Sequence, residues 1–112
     1  MKIRRVLIAF LLVAVASVWG QAAGDLLGQS LLDGHEWEKA AQEFDRVAAQ
    51  RGPQADSALY WRAYALKQAE FHGEALAALA ELRRLYPMSR WLHDAAALEM
   101  EIRRAAGRTP RP

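Results

Sequence analysis

The chain has 112 residues, enough for one domain, and no cysteine, which excludes disulfides, thiol chemistry and zinc sites of the cysteine type. Its 15 basic and 13 acidic residues leave a net charge of +2, with the basic excess gathered at the two ends. Between Gly24 and Ile102 there are 8 basic and 13 acidic residues, a net −5, so the nucleic-acid-binding class loses its electrostatic basis.

In chain order, the first element is a basic start (Lys2, Arg4, Arg5) followed by VLIAFLLVAVASV, 13 residues without a charge. A basic start, an apolar run and small residues beyond it predict a signal peptide over residues 1–23, with cleavage after Ala16, Ala22 or Ala23. The run is shorter than the roughly 20 residues that span a bilayer. The alternative is an uncleaved N-terminal anchor, with Trp19 at its edge. On either reading the remainder lies across the membrane, because the positive charges stay inside. Without a cysteine, no lipid can be attached to one.

The body reads as helix throughout. Alanine, leucine, glutamate and arginine dominate, all strong helix formers. Breakers at Gly34, Gly52-Pro53, Gly73 and Pro87, and from Gly107 onward, divide it into helices over 24–33, 36–50, 55–70, 73–86 and 89–106. Asp56 and Ser57 are expected to cap the third and Ser89 the fifth. Short helices on short turns imply antiparallel neighbours, so the predicted fold is all-α, a solenoid of helix hairpins.

The segments repeat. A shift of 35 residues aligns Gly28 with Ala63, Leu31 with Leu66, Ala40 with Ala75, Phe44 with Leu79, Val47 with Leu82 and Gly52 with Pro87. A period near 34 residues holding two helices is the signature of a tetratricopeptide repeat. Gly28, Ala63, Ala40 and Ala75 are small where paired helices would cross. Phe44, Leu79, Val47 and Leu82 continue the apolar stripe beside that crossing. Pro87 ends its helix and sets the angle of the next.

The stretch ALYWRAYALKQAEFHGEALAALAELRRLYPMSRWLHDAAALEMEIR resembles the tetratricopeptide repeats of bacterial envelope proteins, such as YbgF-like Tol-Pal coordinators and BamD-like outer-membrane assembly factors. Tyr60-Trp61 and Tyr86-Pro87-Met88-Ser89 stand at their motif positions, and WEKAAQEFDRV resembles the second helix of a preceding unit. The likeness covers about residues 25–105. It implies a first unit over 24–53, a second over 55–88, a C-terminal packing helix over 89–106 and a disordered basic tail over 107–112. Two departures stand out. Gly52-Pro53 replaces the tyrosine-proline link, and Gly24 sits where Leu59 stands in the second unit. The long coiled coil of the first group and the lipid anchor of the second are missing, so neither specific function carries over. The implied location is the periplasm of a Gram-negative bacterium, or the inner membrane facing it if the first segment is retained.

Candidate chemistry is thin. His35, His72 and His93 have no i, i+4 pair, and surface or turn positions account for them. Glu36, Glu38, Glu43, Asp45, Glu99 and Glu101 alternate with Lys39, Arg46 and Arg103 at helical spacing, which describes a solvated face. Ser17, Ser30, Ser57 and Ser89 have no nucleophile elbow around them. No catalytic residue, cofactor or metal is predicted. Trp37, Trp61 and Trp91 are read as packing residues.

Tyr60, Tyr64 and Lys67 lie along one face of the third helix, leaning to the concave side if Leu59, Ala63 and Leu66 pack inward. The resemblance implies that first helices line a groove for a peptide or partner helix, with Asp25, Gln29 and Leu32 as the equivalent face of the first unit. Plain exposed surface is the alternative. Arg103, Arg104, Arg108 and Arg111 suit a helix C-terminus, or else an anionic lipid or acidic partner. The expected function is a non-enzymatic adaptor for a protein partner. The alternative is a self-associating helical module or a fragment of a larger envelope repeat protein.

Overall fold

The computed structural model describes residues 25–108; the signal peptide or anchor expected over 1–23 and residues 109–112 lie outside the described residues. The described chain is all-helical. Helix α1 covers residues 25–33, α2 Trp37–Ala49, α3 Ala55–Gln68, α4 His72–Leu85 and α5 Leu92–Arg108. Each helix from α2 onward packs on its successor.

The turns α1–α2 and α3–α4 are the same turn, 35 residues apart. In the first, Gly34, His35 and Glu36 donate their N–H groups to the carbonyls of Ser30, Leu32 and Leu31; in the second, Ala69, Glu70 and Phe71 donate to Ala65, Lys67 and Leu66. In both, one residue takes a left-handed backbone, His35 at φ 57° and Glu70 at φ 67°. This is a Schellman closure, which satisfies the last carbonyls of a helix and reverses the chain. It corrects one expectation. Gly73 is not the breaker of its region but lies in the first turn of α4, because Glu70 makes the reversal.

Other boundaries shift for similar local reasons. The N-cap of α3 is Gln54 and carries no side-chain cap bond. Asp56 and Ser57 sit inside the first turn instead, where Asp56 Oδ1 accepts from the Ser57 amide and the Ser57 hydroxyl donates to the Gln54 carbonyl. Helix α5 starts at Leu92 rather than Ser89 and includes Gly107 and Arg108, which were expected in the tail.

One core runs through the stack. Ala40, Phe44, Val47, Ala63, Ala75, Leu79, Leu82, Ala95 and Ile102 are fully buried. The alanines allow close helix approach, and the larger side chains fill the space beside each crossing. Gly28 shows how close that approach is, since a Cβ there would lie 2.5 Å from Cζ of Phe44. Pro87 takes no part in this interior; it is an exposed turn residue just past the end of α4.

Ion pairs stitch the elements on the outside. Arg62 of α3 meets Asp45 of α2 at 3.5 Å, Arg83 of α4 meets Glu99 of α5 at 2.7 Å, and Lys67 of α3 meets Glu101 of α5 at 3.2 Å. Helices α1, α3 and α5 therefore share one face, since Gln29 and Asp33 of α1 border the same cleft as Trp61 and Tyr64 of α3. A second cleft brings Glu38 and Asp45 of α2 together with Arg62 of α3 and Glu74 of α4.

Candidate functional site

The face shared by α1, α3 and α5 carries a continuous ribbon of rings. Its spine is α3, where Tyr60, Trp61 and Tyr64 are placed by helical spacing while Leu59, Ala63 and Leu66 turn into the core. Trp61 meets Tyr60 edge-on at 5.2 Å between ring centroids and Tyr64 at 5.6 Å. From Tyr64 the ribbon passes to Trp37, at 6.4 Å and near perpendicular, and from Trp37 to His35, stacked at 4.9 Å. In the other direction Trp91 closes on Tyr60 at 5.0 Å and on Trp61 at 6.1 Å. The Arg90 guanidinium lies over the Trp91 ring, 5.7 Å from its centroid.

The backbone explains why these rings meet. The left-handed turn at His35 brings that ring back over Trp37, the first residue of α2. At the far end, the Ser89 hydroxyl donates to Asp56 Oδ2 at 2.7 Å and accepts the Trp91 amide at 3.0 Å. Asp56 is one turn before Tyr60 on α3, so this bridge seats Trp91 against Tyr60. Edge-to-face and offset pairs of this kind contribute about 0.5–1.5 kcal/mol each beyond the area they bury.

The predicted groove residues fall into three groups. Tyr60 and Tyr64 are half-buried members of the ribbon. Asp25 and Gln29 are half-buried on α1, and Gln29 borders the cleft beside Trp61 and Tyr64. Lys67 is on this face but already engaged by Glu101. Leu32 lines the cleft from within. Only 7% exposed, it belongs to the core and reaches the groove only as part of its floor.

Trp37, Trp61 and Trp91 do pack on the core, as read from the sequence, yet they are half-buried and also form most of the ribbon's surface. Reading them as packing alone missed this second role. The i, i+3 spacing of Trp61 and Tyr64 was the available signal.

Where α1, α2 and α3 meet, the ribbon borders a shallow cleft of about 380 Å³, with Trp37, Trp61 and Tyr64 as aromatic walls and Asp33, His35 and Gln29 at the rim. The field on this face is acidic. Burial, with the negative charges of Asp94 and Glu101 adding to it, pushes the Tyr60 hydroxyl above its ordinary pKa.

The acidic residues weighed for acid-base work are largely in ion pairs: Glu36 with Lys39, Glu43 with Arg46, Asp45 with Arg62, and Glu99 with Arg83 and Arg103. Hydrogen bonds from Arg83 and Arg103 hold the Glu99 carboxyl below its ordinary pKa. Among the described residues no group of three histidine or carboxylate side chains is placed to hold a metal ion, and no helix is long and apolar enough to cross a membrane. Searches against protein-family models, curated proteins and solved structures return no match for this chain.

Proposed function

We propose that the protein is a non-enzymatic scaffold of the tetratricopeptide-repeat type that holds a protein segment along the face formed by α1, α3 and α5. The observation that carries this reading is the ring ribbon. Five indole and phenol side chains of three separate elements are gathered on one face and left half-exposed. Tyrosine and tryptophan at a surface supply large contact area at low entropic cost, which is why they concentrate in binding patches. The repeated 35-residue hairpin supports the repeat-type reading, and the basic, apolar start of the sequence supports export to the periplasm.

The test is cross-linking and capture from an envelope extract with the full chain and with a Tyr64→Ala, Lys67→Ala double variant. The reading expects a partner captured by the parent and lost in the variant, at unchanged helicity by circular dichroism. Equal capture by both would remove the groove from the account.

Self-association is the second reading, favoured by apolar side chains at the two ends of the stack. Leu26 and Leu27 on α1 are 71% and 49% exposed, and Met100 on α5 is 56% exposed. Such ends suit pairing with another helical layer. A dilute monomer in sedimentation velocity would count against it.

A further inference from the structure

We infer that the cleft between α1, α2 and α3 is a cage for a cationic side chain, and that the segment held on this face is an extended peptide presenting an arginine. The inference rests on the proposed partner-binding role and names the chemistry that would serve it. Its basis is geometric. Trp37 and Tyr64 stand at 77° to each other, and Trp61 and Tyr64 at 78°. These are edge-to-face contacts among the rings themselves, and the three rings together line one small cleft, so several π systems border a single guest. Ring faces carry negative potential, so a guanidinium or ammonium enclosed by two or three of them is held by their summed quadrupoles.

Two further features select a cation over a neutral apolar guest. Asp33, an exposed residue, lies at the rim of the cleft, where its carboxylate can pair with a guanidinium seated against the rings. The same ribbon already holds a guanidinium at its other end, where Arg90 covers Trp91. The two ends thus share one chemistry, supplied from within the chain at Trp91 and from a partner at Trp37.

Arginine is favoured over lysine because its flat guanidinium stacks on an indole while donating a paired bond to a carboxylate. An extended peptide suits the site because the ribbon runs across the helices, from α2 over α3 to the α4–α5 turn, rather than along any one of them. Prolines beside the arginine would lie on the half-buried Tyr60 and Trp61 rings, as proline-rich segments do in aromatic-lined grooves.

The experiment titrates a blocked Pro-Arg-Pro-Arg-Pro peptide into the full chain and follows the indole N–H signals of Trp37, Trp61 and Trp91 by NMR. Matched peptides carry glutamine, glutamate or lysine in place of arginine. The cage predicts a saturable shift at Trp37 and Trp61 with the arginine peptide, weaker with lysine and absent with glutamine or glutamate. Asp33→Asn, at an exposed position that leaves the fold intact, should weaken arginine binding about five-fold, and Trp37→Leu about ten-fold or more.

Equal response to the arginine and glutamine peptides, preference for glutamate, or no effect of Asp33→Asn would overturn the cage. So would indole shifts that follow protein concentration without peptide, which would put a second copy in the cleft. Failure of the peptides with capture still lost in the Tyr64→Ala, Lys67→Ala variant would sink the cage alone. Failure of both would sink the binding face itself.

Discussion

In the α1–α2 hairpin a glycine, Gly28, packs against the ring of Phe44. In the α3–α4 hairpin, 35 residues on, Ala63 and Leu79 hold the equivalent places, both fully buried. The turns that close the two hairpins are bonded identically, so the backbone scheme is constant while the packing pair changes. What one partner gains in volume the other gives up. This is how repeats keep one interhelical distance with different side chains, since interiors tolerate exchange of volume better than its loss or gain. The hairpins differ also in anchorage. Helix α3 buries six residues, whereas the described part of α1 buries only Gly28 and Leu32.

The largest expected effect removes the big partner. Phe44→Ala should cost about 3–5 kcal/mol and Leu79→Ala about 2–5 kcal/mol in urea unfolding. A cost below about 1 kcal/mol at Phe44 would mean that α1 does not seal the first hairpin. Next comes overfilling a crossing. Ala75→Leu, at a fully buried position, should cost about 1–3 kcal/mol by forcing α4 from its neighbours, and an unchanged melting temperature would break the close-approach argument.

A smaller effect separates the two links between units. Ser89→Ala removes the bond to Asp56 and the acceptor for the Trp91 amide. It should cost about 1 kcal/mol and weaken the circular dichroism of the Tyr60–Trp91 ring pair. The first link has Gln54 where the second has Ser89, and it makes no such bridge to a ring, so a substitution there should leave the ring signal unchanged.

The smallest effect is electrostatic. Glu99 has a folded pKa below its unfolded value, so its contribution is full above the unfolded pKa, about 4.3, and vanishes as pH falls through the folded one. Glu99→Gln should therefore cost about 0.5 kcal/mol at pH 7 and progressively less as the pH falls below the unfolded pKa. Equal costs above and below that pKa would show that the ion pairs with Arg83 and Arg103 are not its source.

Much of this fold was legible in the sequence, and the reasons are specific. Small residues at Gly28, Ala40, Ala63 and Ala75 and large ones at Phe44 and Leu79 recur at one offset, and helical spacing alone puts them on facing stripes. Turn chemistry was harder to read. Gly73 looked like a breaker, but the reversal is made by Glu70, a residue type with no preference for a left-handed backbone. The candidate site was half legible. Tyr60 and Tyr64 follow from periodicity on α3. Their contacts with Trp91 and Trp37 depend on how separate elements are seated, through the Ser89–Asp56 bridge and the His35 turn, and no local pattern announces that. Leu32 lines the cleft as expected, but it does so from within the core, and helical spacing on α1 alone does not announce that burial.

A double-mutant cycle at Gly28 and Phe44 bears hardest on the idea that one hairpin has been built twice with exchanged volumes. Gly28→Ala alone should destabilise, because the new methyl would meet the Phe44 ring at 2.5 Å. In a Phe44→Leu background, which recreates the Ala63–Leu79 pair, the same change should be neutral or stabilise by up to about 1 kcal/mol, the usual helix gain of alanine over glycine. If Gly28→Ala has the same effect in both backgrounds, the two hairpins are not variants of one packing scheme.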